Sequence, residues 1–450
     1  MSLTFSSDTI YALASGVGLA GVAVIRVSGT HAVKGLRALS SRENFKDRHA
    51  TFLKLRDPVS RETLDEAVVV VFRAPASFTG EDVVEYHLHG GRAVIQSVVE
   101  VLSRQSGHRM AEPGEFTRRA YQNGKMDLVQ AEALNDLIHA QTQHQKLQAQ
   151  NQMGGALSDL YNGWAETLKK SLAYLEADLD FPDEDLPEGA IAAVRPKLET
   201  LMGDIKIHLD DHNRGERLRD GIKIVILGAP NAGKSSLLNA IARRDVAIVS
   251  DVAGTTRDVL DVHLDLNGYP AILSDTAGLR PQDLGTSDHD KIEAEGMRRA
   301  LNVAKEADIR ILVFNAEDLP NLNTHTKDLI RDQDVVVFNK MDLTSTKPES
   351  QGFEVSVSEN RGLDDLLKVL TAKVSDFFER QSGPALTRER HREALNHALD
   401  LIEKSMMSAD LPELVAEDIR LAMRAIGRIT GQVDVEDLLD VIFKDFCIGK

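Results

Sequence analysis

Hydrophobic and polar positions change rhythm four times along the chain. In residues 1–125, short β-branched runs, Val22-Ala23-Val24-Ile25-Arg26-Val27 and Ala67-Val68-Val69-Val70-Val71-Phe72, are bounded by Gly, Ser or Pro and predict strands mixed with some helix. Between Val84 and Val101 the pattern passes from strand-like, through His89-Gly90-Gly91, to helix-like. From about residue 126 the period lengthens. Leu157, Leu160, Trp164, Leu168, Leu172, Leu175 and Leu179 recur every three or four residues, one face of a long amphipathic helix that Phe181-Pro182 should stop. Residues 191–215 continue helical. Residues 222–376 then alternate strand and helix. Residues 222–227 are an apolar run ending in glycine, Asn267-Gly268 is a hairpin turn between 259–266 and 269–273, and 309–314 and 335–338 are buried-strand runs. This alternation predicts a mostly parallel sheet with helices on both faces. Residues 380–450 return to helix. Helical segments on either side of an α/β stretch predict an insertion. The expected fold class is therefore multidomain α+β and α/β: an N-terminal α+β domain (1–121), a discontinuous helical domain (122–216 and 380–450) and an inserted α/β domain (217–379).

Composition limits the possibilities without choosing among them. A chain of 450 residues accommodates two to four domains, and 42% apolar with 27% charged residues is ordinary for a globular protein. No run of 18 or more apolar residues suggests a membrane span, and the start, Met1-Ser2-Leu3-Thr4-Phe5, does not read as a secretory signal. Cys447 is the single cysteine, so no internal disulfide can form, which fits a reducing cytoplasm. The formal net charge is −17. Such a chain is repelled by a phosphate backbone, so any work on RNA needs a local basic patch or a basic partner. The cluster Arg388, Arg390, His391 and Arg392 is a candidate for RNA contact, or else a solvated helix face.

The chemistry concentrates in the α/β stretch. Gly228-Ala229-Pro230-Asn231-Ala232-Gly233-Lys234-Ser235 fits G-x-x-x-x-G-K-S between a predicted strand and a predicted helix that continues with Ser236. In that setting backbone N–H groups cradle phosphates, Lys234 reaches the β- and γ-phosphates, and Ser235 ligates Mg²⁺. Asp275-Thr276-Ala277-Gly278 stands about 40 residues after Ser235 at the end of the next strand, placed to support Mg²⁺ and contact the γ-phosphate. Asn339-Lys340-Met341-Asp342 ends a further strand; the Asp342 carboxylate can accept two hydrogen bonds from guanine, whereas adenine would leave it poorly paired. Ser356-Val357-Ser358 comes where a base-supporting loop belongs. Gly254-Thr255-Thr256-Arg257-Asp258 should complete Mg²⁺ coordination through one threonine and act as a switch. Together these elements predict a Ras-like P-loop G domain that binds GTP. The glutamine that orients water in Ras-type enzymes is missing, since Leu279 and Arg280 follow Gly278. Asp288, Asp290, Glu293 and Glu295 are the downstream candidates, and spacing does not choose among them.

With these motifs in view, the whole chain resembles the MnmE (TrmE) tRNA-modification GTPases. Ser77-Phe78-Thr79-Gly80-Glu81-Asp82, Glu112-Pro113-Gly114-Glu115-Phe116-Thr117-Arg118-Arg119-Ala120 and the terminal Cys447-Ile448-Gly449-Lys450 carry the resemblance outside the GTPase core. It implies a K⁺-activated GTPase, homodimeric through a tetrahydrofolate-binding N-terminal domain. With a larger FAD-binding partner, MnmG (GidA), in a heterotetramer, it would install an aminomethyl or carboxymethylaminomethyl group at carbon 5 of the wobble uridine of certain tRNAs. The one-carbon unit would come from 5,10-methylene-tetrahydrofolate. The K⁺ ligands fall on Asn231, with Ser250, Val252 and Thr255 as the loop that caps the ion. Thr256 matches the Mg²⁺-binding threonine, and Glu293 the acid that orients water, with Glu295 the adjacent alternative. The folate residues fall on Arg26, Glu85, Lys125 and Lys450, and Cys447 carries a possible modification role. The negative charge suggests that the partner supplies much of the grip on tRNA. Two other readings share the nucleotide core: a ribosome-assembly GTPase, which would need an appended basic domain, and a nucleotide-dependent switch or scaffold.

Overall fold

The computed structural model describes residues 8–180, 190–248, 261–275, 304–379, 383–407, 411–433, 435–444 and 446–449. In chain order the strands are β1 (Thr9–Leu13), β2 (Ala20–Ser28), β3 (Thr51–Arg56), β4 (Thr63–Phe72), β5 (Val83–Gly90), β6 (His108–Met110), β7 (Ile222–Gly228), β8 (Asp261–Leu266), β9 (Tyr269–Asp275), β10 (Ile309–Asn315), β11 (Val335–Asn339) and β12 (Phe353–Glu354). The helices are α1 (Ala32–Ser40), α2 (Arg92–Ser103), α3 (Glu115–Gln122), α4 (Leu128–His139), α5 (Gln143–Met153), α6 (Ala156–Asp180), α7 (Ala190–Leu209), α8 (Arg214–Asp220), α9 (Lys234–Ala242), α10 (Thr324–Lys327), α11 (Leu363–Phe378), α12 (Glu389–Met407), α13 (Pro412–Thr430) and α14 (Glu436–Lys444). Packing divides the chain into two compact units. One is Met1–Asn135 with Met153–Lys169 and Met423–Lys450; the other is Asp136–Gln152 with Lys170–Ala422. No helix among the described residues is long and apolar enough to cross a membrane.

In the first unit, six strands pair in the order β3-β4-β5-β2-β1-β6, antiparallel except β1 with β6. Strand alternation sends Ile25, Val27, Val69, Val71, Tyr86 and Leu88 to one face, where α1 and α2 cover them with Leu36, Leu39, Val98 and Leu102. The last helix, α14, belongs to this unit: its Leu439 and Phe443, with Phe446 just beyond it, form a cluster with Leu128 and Ala131. An ionic lattice fixes the start of α3. Arg119 donates to Asp8 at 2.9 Å, Glu115 at 2.9 Å and Glu81 at 3.2 Å, while Arg109 pairs with Asp8 and Glu115. Burial alone would raise the Glu115 carboxyl, but Arg109, the Glu112 N–H and Arg119 together hold it below its ordinary value.

In the second unit the sheet order is β12-β11-β10-β7-β9-β8, all parallel except the β8–β9 hairpin at the edge. Its turn is Asn267-Gly268, as the residue pair demands, with Leu266 opposite Tyr269. Gly268 has φ +86° and a Cβ there would stand 2.9 Å from the His144 ring, so only glycine fits. His144 at the start of α5 stacks on Tyr269 with ring centroids 3.9 Å apart, and Tyr269 stacks on Phe378 at 4.8 Å. Three glutamines one and two turns apart on α5 cap the chain where it enters and leaves the α/β stretch. Gln145 donates to Arg219 O at 2.8 Å, Gln148 to Gly215 O at 3.1 Å and Gln152 to Thr387 Oγ1 at 3.1 Å. The long helix expected from the leucine period is α6, with Leu157, Trp164, Leu168, Leu172 and Leu175 buried.

Candidate functional site

From Ile224 on, β7 is apolar on both faces because it lies inside the sheet, and it delivers the chain at Gly228 into a loop that turns directly into α9. Gly233 caps α9 in the left-handed region at φ +92°. A helix N-terminus leaves its first N–H groups without intrahelical partners, so this loop presents donors and partial positive charge to an anion. Lys234 is buried, its ammonium donating to Gly228 O and Ala229 O at 2.9 Å each. That holds a cation beside the cradle. The Ser235 hydroxyl donates to Asp275 Oδ2 at 2.5 Å, joining the first turn of α9 to the end of β9.

The end of β11 is tied to the same loop. Asn339 is 2% exposed and donates from Nδ2 to Ala232 O at 3.0 Å. Its Oδ1 has no hydrogen-bond partner among the described residues. Lys340 follows with φ +66° and lies 3.3 Å from Glu317. Asp342 is held from both sides: Ser356 donates to Oδ1 at 2.6 Å and Ser358 to Oδ2 at 2.9 Å. These two hydroxyls, Ser356 first, hold the carboxyl below its ordinary value. Ser356-Val357-Ser358 thus forms a clamp that favours the charged carboxylate and fixes its direction. Between α9 and this clamp lies a cleft of about 640 Å³ lined by Ser236, Asn239, Ala240, Arg243, Arg244, Val357 and Asn360.

Of the expected nucleotide residues, Asn231, Ala232, Gly233, Lys234, Ser235, Ser236, Asp275, Asn339, Lys340 and Asp342 are described. Ser250, Val252, Thr255, Thr256, Thr276, Ala277, Gly278, Glu293 and the alternatives Asp288, Asp290 and Glu295 lie outside the described residues. Asn231 is exposed on the loop with φ +64°.

Of the four expected folate residues, the structure joins two. Arg26 and Glu85 face each other in register across β2 and β5, with Arg26 Nε donating to Glu85 Oε1 at 3.0 Å. Phe78 and Phe116 lie under the Arg26 guanidinium at 5.1 and 5.8 Å. Both aromatics stand in motifs far apart in sequence, and nothing in the sequence announces that they pack on one cation. Lys125 instead donates to Pro75 O at 3.0 Å, and Lys450 lies outside the described residues. The residues just before it dock nearby. Ile448 bridges Pro113, Cys447 O accepts from the Gly114 N–H at 3.4 Å, and a Cβ on Gly449 would stand 2.1 Å from Leu13 O. Leu13 is one step along β1 from Ala12, which pairs with Arg26. Cys447 is exposed.

Three of the four members of the basic cluster at 388–392 are taken up in contacts within the second unit. Arg388 pairs with Asp136 at 2.5 Å, Arg392 with Asp211 at 2.8 Å and Glu216 at 3.5 Å, and His391 is fully buried. Their charge holds α12 to neighbouring segments.

The chain has relatives of high sequence identity over its whole length. The family model of the MnmE helical domain matches residues 128–447, and that of the GTP-binding protein TrmE N-terminus matches residues 9–125. The tRNA modification GTPase MnmE of Parvibaculum lavamentivorans is 51% identical over 446 residues, covering 98% of this chain and 100% of that protein. The protein of the same description from Paramagnetospirillum magneticum is 49% identical over 449 residues, covering 99% and 100%. Among solved structures, the FeoB G-domain from Methanococcus jannaschii is a remote likeness, at 20% identity over 34% of this chain and 98% of that one, with a TM-score of 0.25.

Proposed function

Since the chain belongs to the MnmE (TrmE) family of tRNA modification GTPases, we propose that it binds GTP across the loop–α9 cradle and the Asp342 clamp, and that hydrolysis there serves modification of the wobble uridine of tRNA. The observation that carries the nucleotide reading is the double serine hold on Asp342. A carboxylate kept ionised and fixed in direction can accept the paired N–H groups on guanine's edge and finds no such pair on adenine. Asn339 supports that selection from below, because its bond to Ala232 O ties the base-reading strand to the phosphate loop.

Ser235 and Asp275 are hard oxygen donors at adjacent element ends, the type of set that suits Mg²⁺. A bound Mg²⁺ would supply charge neutralisation on the phosphates; Ser235 would ligate it and Asp275 hold its water. For K⁺, the proposed ligand among the described residues is Asn231, with Ser250, Val252 and Thr255 completing the set; Glu293 is proposed to orient the attacking water. Residues 217–379 form the nucleotide domain in this reading, 1–121 the folate and dimerisation domain, and 122–216 with 380–450 the helical domain. Arg26, with Glu85 and the two aromatics, is the best-formed part of the folate site. Arg26 offers a guanidinium to a carboxylate, and Glu85 an acceptor to an amino edge. The FAD-binding partner MnmG, the homodimer and a cytoplasmic setting complete the reading.

Calorimetric titration with GDP and ADP tests the guanine claim: GDP is expected to bind and ADP not, and equal affinities would sink it. GTP turnover in KCl against NaCl, with Glu293→Ala alongside, tests the ion and the acid; equal rates in both salts remove K⁺. Mass analysis of wobble uridine in cells lacking the protein tests the tRNA role.

A further inference from the structure

Charge is unevenly divided along the chain. Residues 1–125 hold 16 Lys and Arg against 13 Asp and Glu, a net of +3, which leaves −20 for the remaining 325 residues. The excess is local. Residues 34–61 carry eight cations and three carboxylates, and all eight cations are exposed. They run from α1, through its connection, along β3 and into the turn that follows. β3 is the free edge of its sheet and α1 packs on it.

Three of the eight have carboxylate neighbours: Arg37 with Glu43 at 3.9 Å, Arg48 with Asp47 at 3.8 Å and Lys54 with Glu66 at 2.6 Å. Lys34, Arg42, Lys46, Arg56 and Arg61 have none within 4.0 Å among the described residues. Asp57, the third carboxylate, is buried and held by Arg104. Cations on an edge strand can simply discourage pairing with another sheet. That accounts for Lys54 and Arg56, but not for Lys34 on the helix or Arg42 and Lys46 in the connection. β3 also presents Phe52, 68% exposed, on the same face as Lys54 and Arg56 and opposite the Leu53 and Leu55 face that α1 covers, so the strip wraps the β3 edge from one side of the sheet to the other. Along β3 the strip runs about 20 Å, at about 3.4 Å per residue.

We propose that this strip, Lys34 to Arg61 around the β3 edge, is the surface by which the chain itself contacts tRNA. The unpaired cations lie against backbone phosphates and Phe52 offers its face to an unstacked base. An aromatic among cations suits a nucleic acid better than an acidic protein, since every base has a face to stack. Physiological salt screens charge beyond about 8 Å, so local charge decides the contact while the acidic remainder disfavours others. The assignment rests on the tRNA role proposed above.

The test is fluorescence anisotropy of an unmodified tRNA transcript titrated with the full chain, with GDP present, from about 50 to 200 mM salt. The variant replaces Lys34, Arg42, Lys46, Arg56 and Arg61 by Gln together. Its affinity is expected to fall by about 100-fold, and the slope of log K against log salt to flatten by about 3.5 to 4.5, at 0.7 to 0.9 per phosphate contact. Phe52→Ala is expected to weaken binding about five- to 150-fold without changing the slope. A control variant with Lys169, Lys197, Lys305, Lys327 and Lys347 changed to Gln removes the same charge elsewhere and is expected to bind as wild type. GTP turnover of all three is the check on folding. If wild type binds and the strip variant binds equally with the same slope, the strip is overturned while the tRNA role stands. The strip is overturned in favour of a protein partner if that variant keeps tRNA but loses a protein the wild type holds. If wild type does not bind the transcript at all, the role of this chain in holding tRNA fails with it.

Discussion

Gly233→Ala is the sharpest test of how the loop before α9 and the end of β11 support each other. Gly233 sits at φ +92°, where an L-residue costs about 1–2 kcal/mol. The new Cβ would stand 2.1 Å from Asn339 Nδ2, well inside ordinary contact. Asn339 cannot give way freely: it is 2% exposed, and its Nδ2 is committed to Ala232 O at 3.0 Å. Moving it leaves that carbonyl unpaired, at about 1–3 kcal/mol. The sum, about 2–5 kcal/mol, is relieved most easily by opening the loop, which destroys the cradle. At 1.4 kcal/mol per decade, GDP affinity should fall about 30- to 3,000-fold. Titration with a fluorescent GDP analogue reads this directly. Asn339→Ala removes the bond but also clears the space, so the double variant should lose less than the sum of the two singles. A Gly233→Ala protein that binds GDP within about three-fold of wild type, or strictly additive losses, would refute the argument that the two elements are in contact through this one atom pair.

Other perturbations bear on separate parts of the second unit. Asp342→Asn replaces the charged acceptor by a group with one donor face, and GDP affinity should fall about 10- to 150-fold, the worth of a charge-assisted hydrogen bond, with ADP binding unaltered in calorimetry. The serine clamp has a pH signature. Because the Asp342 carboxyl is held below its ordinary value, it stays charged as the solution is acidified, and guanine binding lasts correspondingly lower. In Ser356→Ala with Ser358→Ala the carboxyl returns toward the ordinary range of about 3.9, so GDP affinity should start to fall at a higher pH than in wild type; coincident profiles between about pH 3 and 5 would contradict the clamp. Arg310 and Asp334 form an ion pair with side chains 7% and 5% exposed, between β10 and β11. Asp334→Ala strands the guanidinium and should lower stability by about 3–5 kcal/mol in denaturant unfolding, whereas Arg310→Met with Asp334→Leu should cost far less.

What could be read in advance follows the range of the interaction that creates it. The hairpin at Asn267-Gly268 and the turn into α9 at Gly233 are set by backbone sterics at neighbouring residues, and both stand where the residue types place them. The alternation of apolar runs with helix likewise announces an inserted parallel sheet, since a strand buried on both faces must be apolar throughout. Packing partners far apart in sequence are not announced. Phe443 and Phe446 bury against Leu128 and Ala131, which groups Met423–Lys450 with the N-terminal residues, while the segment before it groups with the nucleotide-binding sheet. An apolar helical stripe states that it will be buried and not against what. Charge is the extreme case, because a lysine or arginine has the same formal charge whether its neighbour in space is a carboxylate or water. Arg388 and Arg392 stand in the densest basic run of the helical segment and are both taken up by Asp136, Asp211 and Glu216. Arg42, Lys46 and Arg56 are each followed in sequence by a carboxylate, Glu43, Asp47 and Asp57, yet folding leaves them exposed with none within 4.0 Å among the described residues. A count of charges therefore overstates the field where pairs can form and understates it where they cannot. For a chain of net −17, exposed cations that lack a nearby carboxylate are where a polyanion meets least repulsion.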